Sequence, residues 1–448
     1  MFNQQSLLLG NQYFTTEYEV EKTLNDMGFY ARNVMENNPT RFLSEIFREK
    51  VKSMDLDMSQ EARPDISYPT GFLNIDYLMG YVAKEKNVST NKFDNYYNLG
   101  FTDGSYISIV AYSNTGKSTF AEQAMAHIAR RFKTTTIFID STESGGMTEM
   151  RRFHLSGFSP EEYRKRYIIR NSGVTAENIY KRIKMIADTK KEFSNDFLYD
   201  TGHRDMYGEP IIKFEPTLYL VDSIAGLMPK ELVDDDELAG KSAGAQISNV
   251  ISQMFSGIIQ LLKSANIILI CTNHIAQDIQ MTMFPKKPDL PWLKQGERIP
   301  KGKKATLYAN HIIRMDQAKK LHPDDPYRIQ GSIVDFSLVK SRTSGNKEPV
   351  KMVYDFANGF DPWLSLLEYL KENKMLYGAG ASLSFDPEKT WKFSYSTFRD
   401  KFYNDKEFRT AFMKNILPML KKIPIEVNED AKNTDIEDVF NNPELYMV

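Results

Sequence analysis

Residues 105–132 read "SYISIVAYSNTGKSTFAEQAMAHIARRF". Two periodicities meet there across one short loop. Tyr106–Val110 is an unbroken apolar, β-branched run, the pattern of a strand buried on both faces. Phe120, Ala124, Ile128 and Phe132 then recur at helical spacing, flanked by Ala121, Met125 and Ala129. A strand, a tight loop and a helix in that order point unsatisfied helix N–H groups at the loop, where a phosphate is well held. The loop, "AYSNTGKS", keeps the spacing G-x-x-x-x-G-K-[ST] except that Ala111 stands at the first glycine. Alanine costs little there when its dihedrals are ordinary. Gly116 permits close backbone approach, Lys117 supplies a cation for the terminal phosphates, and Ser118 offers a hydroxyl to Mg2+. Ser113, Asn114, Thr115 and Thr119 complete the expected cradle.

The alternation continues downstream. "TTTIFID" (134–140), "TLYLVDS" (217–223) and "NIILICTN" (266–273) read as further strands, the last preceded by the helix "QISNVISQMFSGIIQLLKSA". "SIVDFSLVKSR" (332–342) and "VKMVYD" (350–355) read as paired later strands. The pattern predicts an α/β fold, a mostly parallel sheet with helices on both faces. A later strand should end in an acid that holds Mg2+ through water, and "LYLVDS" provides Asp222. Hydrolysis also needs a carboxylate to position water. The second strand ends "IFIDSTES", which leaves Asp140 and Glu143 as candidates.

At 448 residues the chain supports a core of roughly 200–250 residues with appendages. Residues 1–64 read as a helical arm with apolar positions Leu43, Ile46, Phe47 and Val51, and 65–375 as the core. Within the core, 84–104 reads as a polar loop and 191–216 as an insertion of weak periodicity. Residues 376–425 read as mostly helical, and 426–448 as a solvated acidic tail with seven acids against Lys432. Such a tail competes with an anionic partner for basic surface, or recruits partners, or only solubilises. The single cysteine, Cys271, lies in an apolar run, so no disulfide framework exists and a reducing compartment is expected. The six histidines lack metal-ligand spacing, so no zinc site is indicated. "MFNQQSLLLGNQ" lacks the features of a signal peptide, and no apolar run is long enough to cross a bilayer. Membranes are therefore not expected partners, and a cytoplasmic location is.

Lys and Arg (57) nearly balance Asp and Glu (59), so an anionic partner must be held by a local patch. Residues 277–304 provide one: Lys286, Lys287, Lys294, Arg298, Lys301, Lys303 and Lys304 against Asp278, Asp289 and Glu297. Phe284 and Trp292 are interleaved, and prolines forbid a long helix. Cations for phosphates and apolar faces for unstacked bases suit single-stranded DNA.

Three longer segments narrow the class. "PTGFLNIDYLMG" (69–80) precedes the loop, "VDSIAGLMPKELVDDDELAGKSAGAQISNVISQMFSGIIQLLKSANIILICTNHI" runs from Asp222 to His274, and "VKSRTSGNKEPVKMVYDFANGFDPWLSLLEYLKENKML" follows. In order and spacing they resemble the RecA-family recombinases, most closely the UvsX type of tailed bacteriophages. The resemblance implies a RecA-like P-loop ATPase core over most of 65–375, with ATP and Mg2+ as cofactors. It implies that Lys117 and Ser118 bind phosphate and metal, and that Asp222 is the magnesium-shell acid. Glu143 is implied as the water-positioning carboxylate, one residue further from Asp140 than the family's pattern. His274 takes the γ-phosphate sensor position. Lys340 and Arg342 match a cationic pair that reaches ATP from the adjacent protomer. The segment 277–304 becomes the second DNA loop, and 231–244, with Lys241, the first. The implied partners are single- and double-stranded DNA, further copies in a helical filament, and single-strand-binding and mediator proteins, in an infected bacterial host. Two other readings stay open. A hexameric DnaB-type helicase also tolerates alanine at the first loop position and shares a "PTGFLNID"-like entry. A non-catalytic RecA-like paralogue fits the shifted Glu143. "DPWLSLLEYL" and the Lys340/Arg342 strand favour the recombinase.

Overall fold

The computed structural model describes residues 7–9, 12–14, 66–142, 147–234, 243–277, 287–301, 303–343, 348–379 and 382–420. The chain divides into two compact units, Met1–Ala62 and Arg63–Val448. In the first, Leu7–Leu9 pairs antiparallel with Gln12–Phe14, Leu8 opposite Tyr13. This corrects the helical reading of the arm at those residues. Gly10 and Asn11 separate the two strands in sequence, a pair that favours a two-residue hairpin connection.

The second unit is built on a nine-stranded sheet. Its strands are β1 (Tyr106–Ala111), β2 (Ile137–Ser141), β3 (Tyr167–Arg170), β4 (Thr217–Asp222), β5 (Ile267–His274), β6 (His311–Leu321), β7 (Gly331–Ser341), β8 (Val350–Asp355) and β9 (Gly359–Asp361). Their spatial order is β3-β2-β4-β5-β1-β6-β7-β8-β9. From β3 to β6 every neighbouring pair is parallel, and β7, β8 and β9 add an antiparallel meander. The central strands β1 and β4 are buried along their whole length, as continuous apolar runs require.

Helices cover both faces. Phe120, Ala124 and Ile128 of α1 (Lys117–Arg130) pack on Ile107, Ile139 and Ile270. Behind α1 lies α2 (Glu149–Ser156). On the opposite face, Ile183 of α3 (Ala176–Glu192) and Phe255 of α4 (Ala243–Ser264) pack on Tyr106, Tyr219 and Leu269. Strand alternation sends neighbouring residues to opposite faces, so Ile107 faces α1 and Tyr106 faces α4. Truncating Phe120, which is fully buried, to alanine would cost about 3–5 kcal/mol. A third cluster joins α5 (Pro362–Glu372), α6 (Tyr395–Asn404) and α7 (Lys406–Leu420) through Trp363, Phe385, Phe398, Phe402 and Phe412. The α5 N-terminus is fixed by Asp361, whose side chain accepts from the Trp363 and Leu364 amides, with Pro362 at the first helical position.

One expectation needs correction, and two gain detail. Residues 84–104 are not a loop: Tyr81–Asn87 pairs with Lys92–Asn98. The 191–216 insertion contains the hairpin Leu198–Arg204 with Pro210–Phe214. Residues 376–425 begin with a hairpin, Tyr377–Ala379 with Ser382–Ser384, before the helices. Strand β6, central in the sheet, and the edge strand β3 were not expected at all. Among the described residues, no helix is long and apolar enough to cross a membrane.

Candidate functional site

In open parallel sheets, ligands bind at the carboxyl ends of the strands. Here Ala111 at the end of β1 is in register with His274 at the end of β5. On the other side of β5, β4 ends at Asp222, whose carboxylate accepts a hydrogen bond from the Thr272 hydroxyl. The loop before α1, the β5 end and the β4 end therefore share one edge.

Backbone conformation shapes the loop. Asn114 (φ 63°) and Gly116 (φ 87°) are left-handed, a state that glycine and asparagine tolerate best. A Cβ on Gly116 would also meet the Phe360 ring at 2.9 Å. Thr115 closes the turn through its hydroxyl, which donates to the Tyr112 carbonyl at 2.7 Å. The first turn of α1 carries no acid. The positive end of its helix dipole faces the loop. Lys117 is buried, 6% exposed, with its Nζ donating to the Tyr112 carbonyl at 3.0 Å and to the Ala111 carbonyl at 3.4 Å. The same ammonium lies 3.5 Å from His274 Nδ1, and Ser113 Oγ lies 3.4 Å from that nitrogen. Ser113 and Asn114 are exposed, Ser118 is half-buried and Thr119 is buried beside the Tyr354 hydroxyl at 3.4 Å. The structure thus gathers Ser113, Lys117 and His274 around one polar spot at the head of α1.

Of the two candidate carboxylates of the second strand, the structure describes Asp140. Asp140 pairs across the ladder with Val221, so both point to the α3 face. There Asp140 is buried, ion-paired with Arg182 and accepting from the Tyr219 hydroxyl. Asp222 pairs with Ser141 and points the other way. Asp140 is therefore removed from the site by strand alternation. Glu143 lies outside the described residues. The chain leading to it is held to β4: the Thr142 amide donates to the Asp222 carbonyl at 2.7 Å, and the Thr142 hydroxyl to the Ser223 carbonyl at 2.8 Å.

Sequence reasoning missed Glu122. It lies one helical turn beyond Ser118 and is 2% exposed. Arg152 of α2 donates to it at 2.9 Å. Burial pushes its carboxyl up to about 7; Arg152 opposes that rise, and the Asp222 charge adds to it. The i, i+4 spacing from Ser118 was the available signal.

The basic segment is only partly free. Lys287, Lys294, Arg298 and Lys301 are exposed, whereas Trp292 is half-buried against the α4-side cluster. Lys303 and Lys304 begin the short helix Lys303–Tyr308, with side chains outside the described residues, as are Lys241 and Lys286. Part of the proposed first loop, Lys230–Asp234, is a helical turn. The segment folds back on the β5 exit, where Ala276–Gln277 pairs with Glu297–Arg298. Glu297 is clamped by Arg314 of β6 in a two-point contact at 2.7 and 2.8 Å. It also accepts from the Lys294 amide at 2.7 Å and from the Tyr112 hydroxyl at 2.8 Å. Burial alone would raise the Glu297 carboxyl, but these hydrogen bonds outweigh it and bring it down to about 2.

Lys340 and Arg342 lie elsewhere. Antiparallel β7 brings its end to the start of β6, His311 opposite Ser341, and His311 also pairs with Ile107 near the start of β1. The pair therefore sits at the sheet edge opposite the loop. Lys340 Nζ donates to the Thr306 and Leu307 carbonyls at 3.2 and 2.8 Å. His311 beside it is held down at about 4, chiefly by burial and then by the Arg342 and Lys340 charges.

No protein-family profile matches this chain, and no curated protein sequence matches it.

Proposed function

We propose that the chain is a DNA-dependent ATPase of the RecA recombinase type, forming helical filaments on single-stranded DNA and pairing it with a homologous duplex. The observation that carries this reading is the gathering of Lys117, His274 and Asp222 at one edge of neighbouring parallel strands, with the basic segment following in the chain after His274. The loop amides from Ser113 to Thr119 and the Lys117 ammonium would bind the phosphates of ATP. The Ser118 hydroxyl and the Asp222 carboxylate are hard oxygen donors that suit Mg2+, leaving further positions for phosphate and water. His274, already within reach of Lys117, would register the γ-phosphate. Glu143 would position the attacking water.

Lys340 and Arg342 fit a role between copies. Their edge is remote from the loop of their own chain, so they would serve the site of a neighbour. A head-to-tail contact that does not close generates a helix, and cations facing a γ-phosphate act as arginine fingers do. The partners under this reading are single- and double-stranded DNA, further copies, and single-strand-binding and mediator proteins; the location is the cytoplasm of a bacterial host. Electron microscopy of the purified chain with single-stranded DNA and a slowly hydrolysed ATP analogue tests it. Nucleotide-dependent helical filaments are expected. Closed six-membered rings would replace this reading with a helicase, and unassembled particles with a nucleotide-binding paralogue.

A further inference from the structure

Tyr112 stands between two systems. Its carbonyl receives Lys117 Nζ and the Thr115 hydroxyl inside the loop. Its hydroxyl reaches 2.8 Å across to Glu297, distant by 185 residues in sequence. Glu297 in turn orders the basic segment: it accepts from the Lys294 amide, precedes Arg298, and binds Arg314, which also donates to the Trp292 carbonyl at 3.1 Å. The Glu297–Arg314 clamp explains the fold of the segment without Tyr112. A buried ion pair often adds little net stability over an apolar substitute, and its best-attested use is to fix one arrangement. The additional bond to Tyr112 links that arrangement to the loop.

The loop itself has two ways to satisfy Lys117. In this structure the ammonium is spent on the Ala111 and Tyr112 carbonyls. A polyphosphate would compete for the same ammonium, and a charged acceptor forms the stronger bond. The Tyr112 peptide would then lose a cationic partner and shift, and its side chain would carry the shift to Glu297. We infer that the Tyr112–Glu297 hydrogen bond couples occupancy of the loop by a nucleoside triphosphate to the grip of Lys294 and Arg298 on nucleic-acid phosphates, beside the route through His274. Tyr112 is on this account a positioning residue. The inference rests on the reading proposed above and names a regulation of that same site.

Coupling between two ligands is reciprocal, typically 5- to 150-fold in affinity. The test uses the full chain, a fluorescent oligo(dT) and a non-hydrolysed ATP analogue, comparing wild type with Tyr112→Phe. The substitution leaves the Tyr112 carbonyl and the Glu297–Arg314 clamp in place. In wild type, the analogue should tighten oligo(dT) binding on the order of 10-fold, and oligo(dT) should tighten analogue binding by the same factor. In Tyr112→Phe both factors should fall to about 2-fold or less. A merely structural role would weaken DNA binding equally with and without analogue and leave the ratio alone. An undiminished ratio in folded Tyr112→Phe overturns the inference while leaving the recombinase reading intact. A wild type whose DNA binding ignores nucleotide overturns both, and the wild-type measurement alone identifies that case.

Discussion

Under the proposed function, the two edges of the parallel sheet would carry complementary halves of one chemistry. The carboxyl edge holds the loop, Lys117, His274 and Asp222, which on that reading would receive an anion and its metal. At the amino edge, Lys340 and Arg342 flank Ser341, whose hydroxyl lies 3.2 Å from His311 Nδ1. The first edge gathers a tight loop, a buried lysine, a histidine and a carboxylate, whereas the second carries two cations. One copy cannot fold its amino edge onto its carboxyl edge, because rigid strands hold them apart. If the proposed function holds, the difference implies that the chemistry occurs only where two copies meet.

The sharpest break of that comparison is at the carboxyl edge. Lys117→Ala should lower ATP turnover at least 100-fold in a steady-state phosphate-release assay, the scale of removing one electrostatic stabiliser. At the amino edge, Arg342→Ala should cut turnover by a similar factor while leaving ATP-analogue affinity of the dilute, unassembled chain unchanged. A loss of that affinity would instead place Arg342 in its own chain's site.

Acid should weaken both edges by a different route. His127, hydrogen-bonded to the Thr70 carbonyl at 2.8 Å, is held down to about 3 chiefly by burial, and His311 to about 4. Both stay neutral in the folded chain while the unfolded chain takes up protons below pH 6.5. The stability they contribute is thus present above pH 6.5 and lost as pH falls toward 4 and then 3. Glu122, raised to about 7, works in the opposite direction between pH 4.5 and 7. Each histidine should cost about 2 kcal/mol on going from pH 6.5 to 5, offset in part by Glu122. Urea melts at the two pH values check this, and His127→Gln should flatten the dependence. The smallest effect is expected at Thr272→Val, which removes the hydroxyl bonded to Asp222. It should weaken Mg2+-dependent nucleotide binding by about 1–2 kcal/mol in a magnesium titration.

How much of this was legible depended on where each residue's partners lie. Strands β1, β4 and β5 were readable because burial on both faces writes a continuous apolar run. Strand β6 hid because its buried run, His311–Met315, gives way to the exposed Gln317–Lys320, half of it lysine. The hairpins at 81–98 and 198–214 hid because much of each is exposed or half-buried, so no apolar alternation marks them. The loop residues were legible as a local spacing. The assignment of Asp140 was not, because its partners Arg182 and Tyr219 arrive from other elements. The bond from Tyr112 to Glu297 has no trace in local sequence at all.

The most direct test of action between copies is complementation. Lys117→Ala and Arg342→Ala are each mixed with single-stranded DNA and ATP, alone and together in equal amounts. If each site takes its loop from one copy and its cation from the next, random assembly should restore on the order of a quarter of wild-type turnover, although neither variant turns over ATP alone. A mixture as inactive as its components would contradict the account.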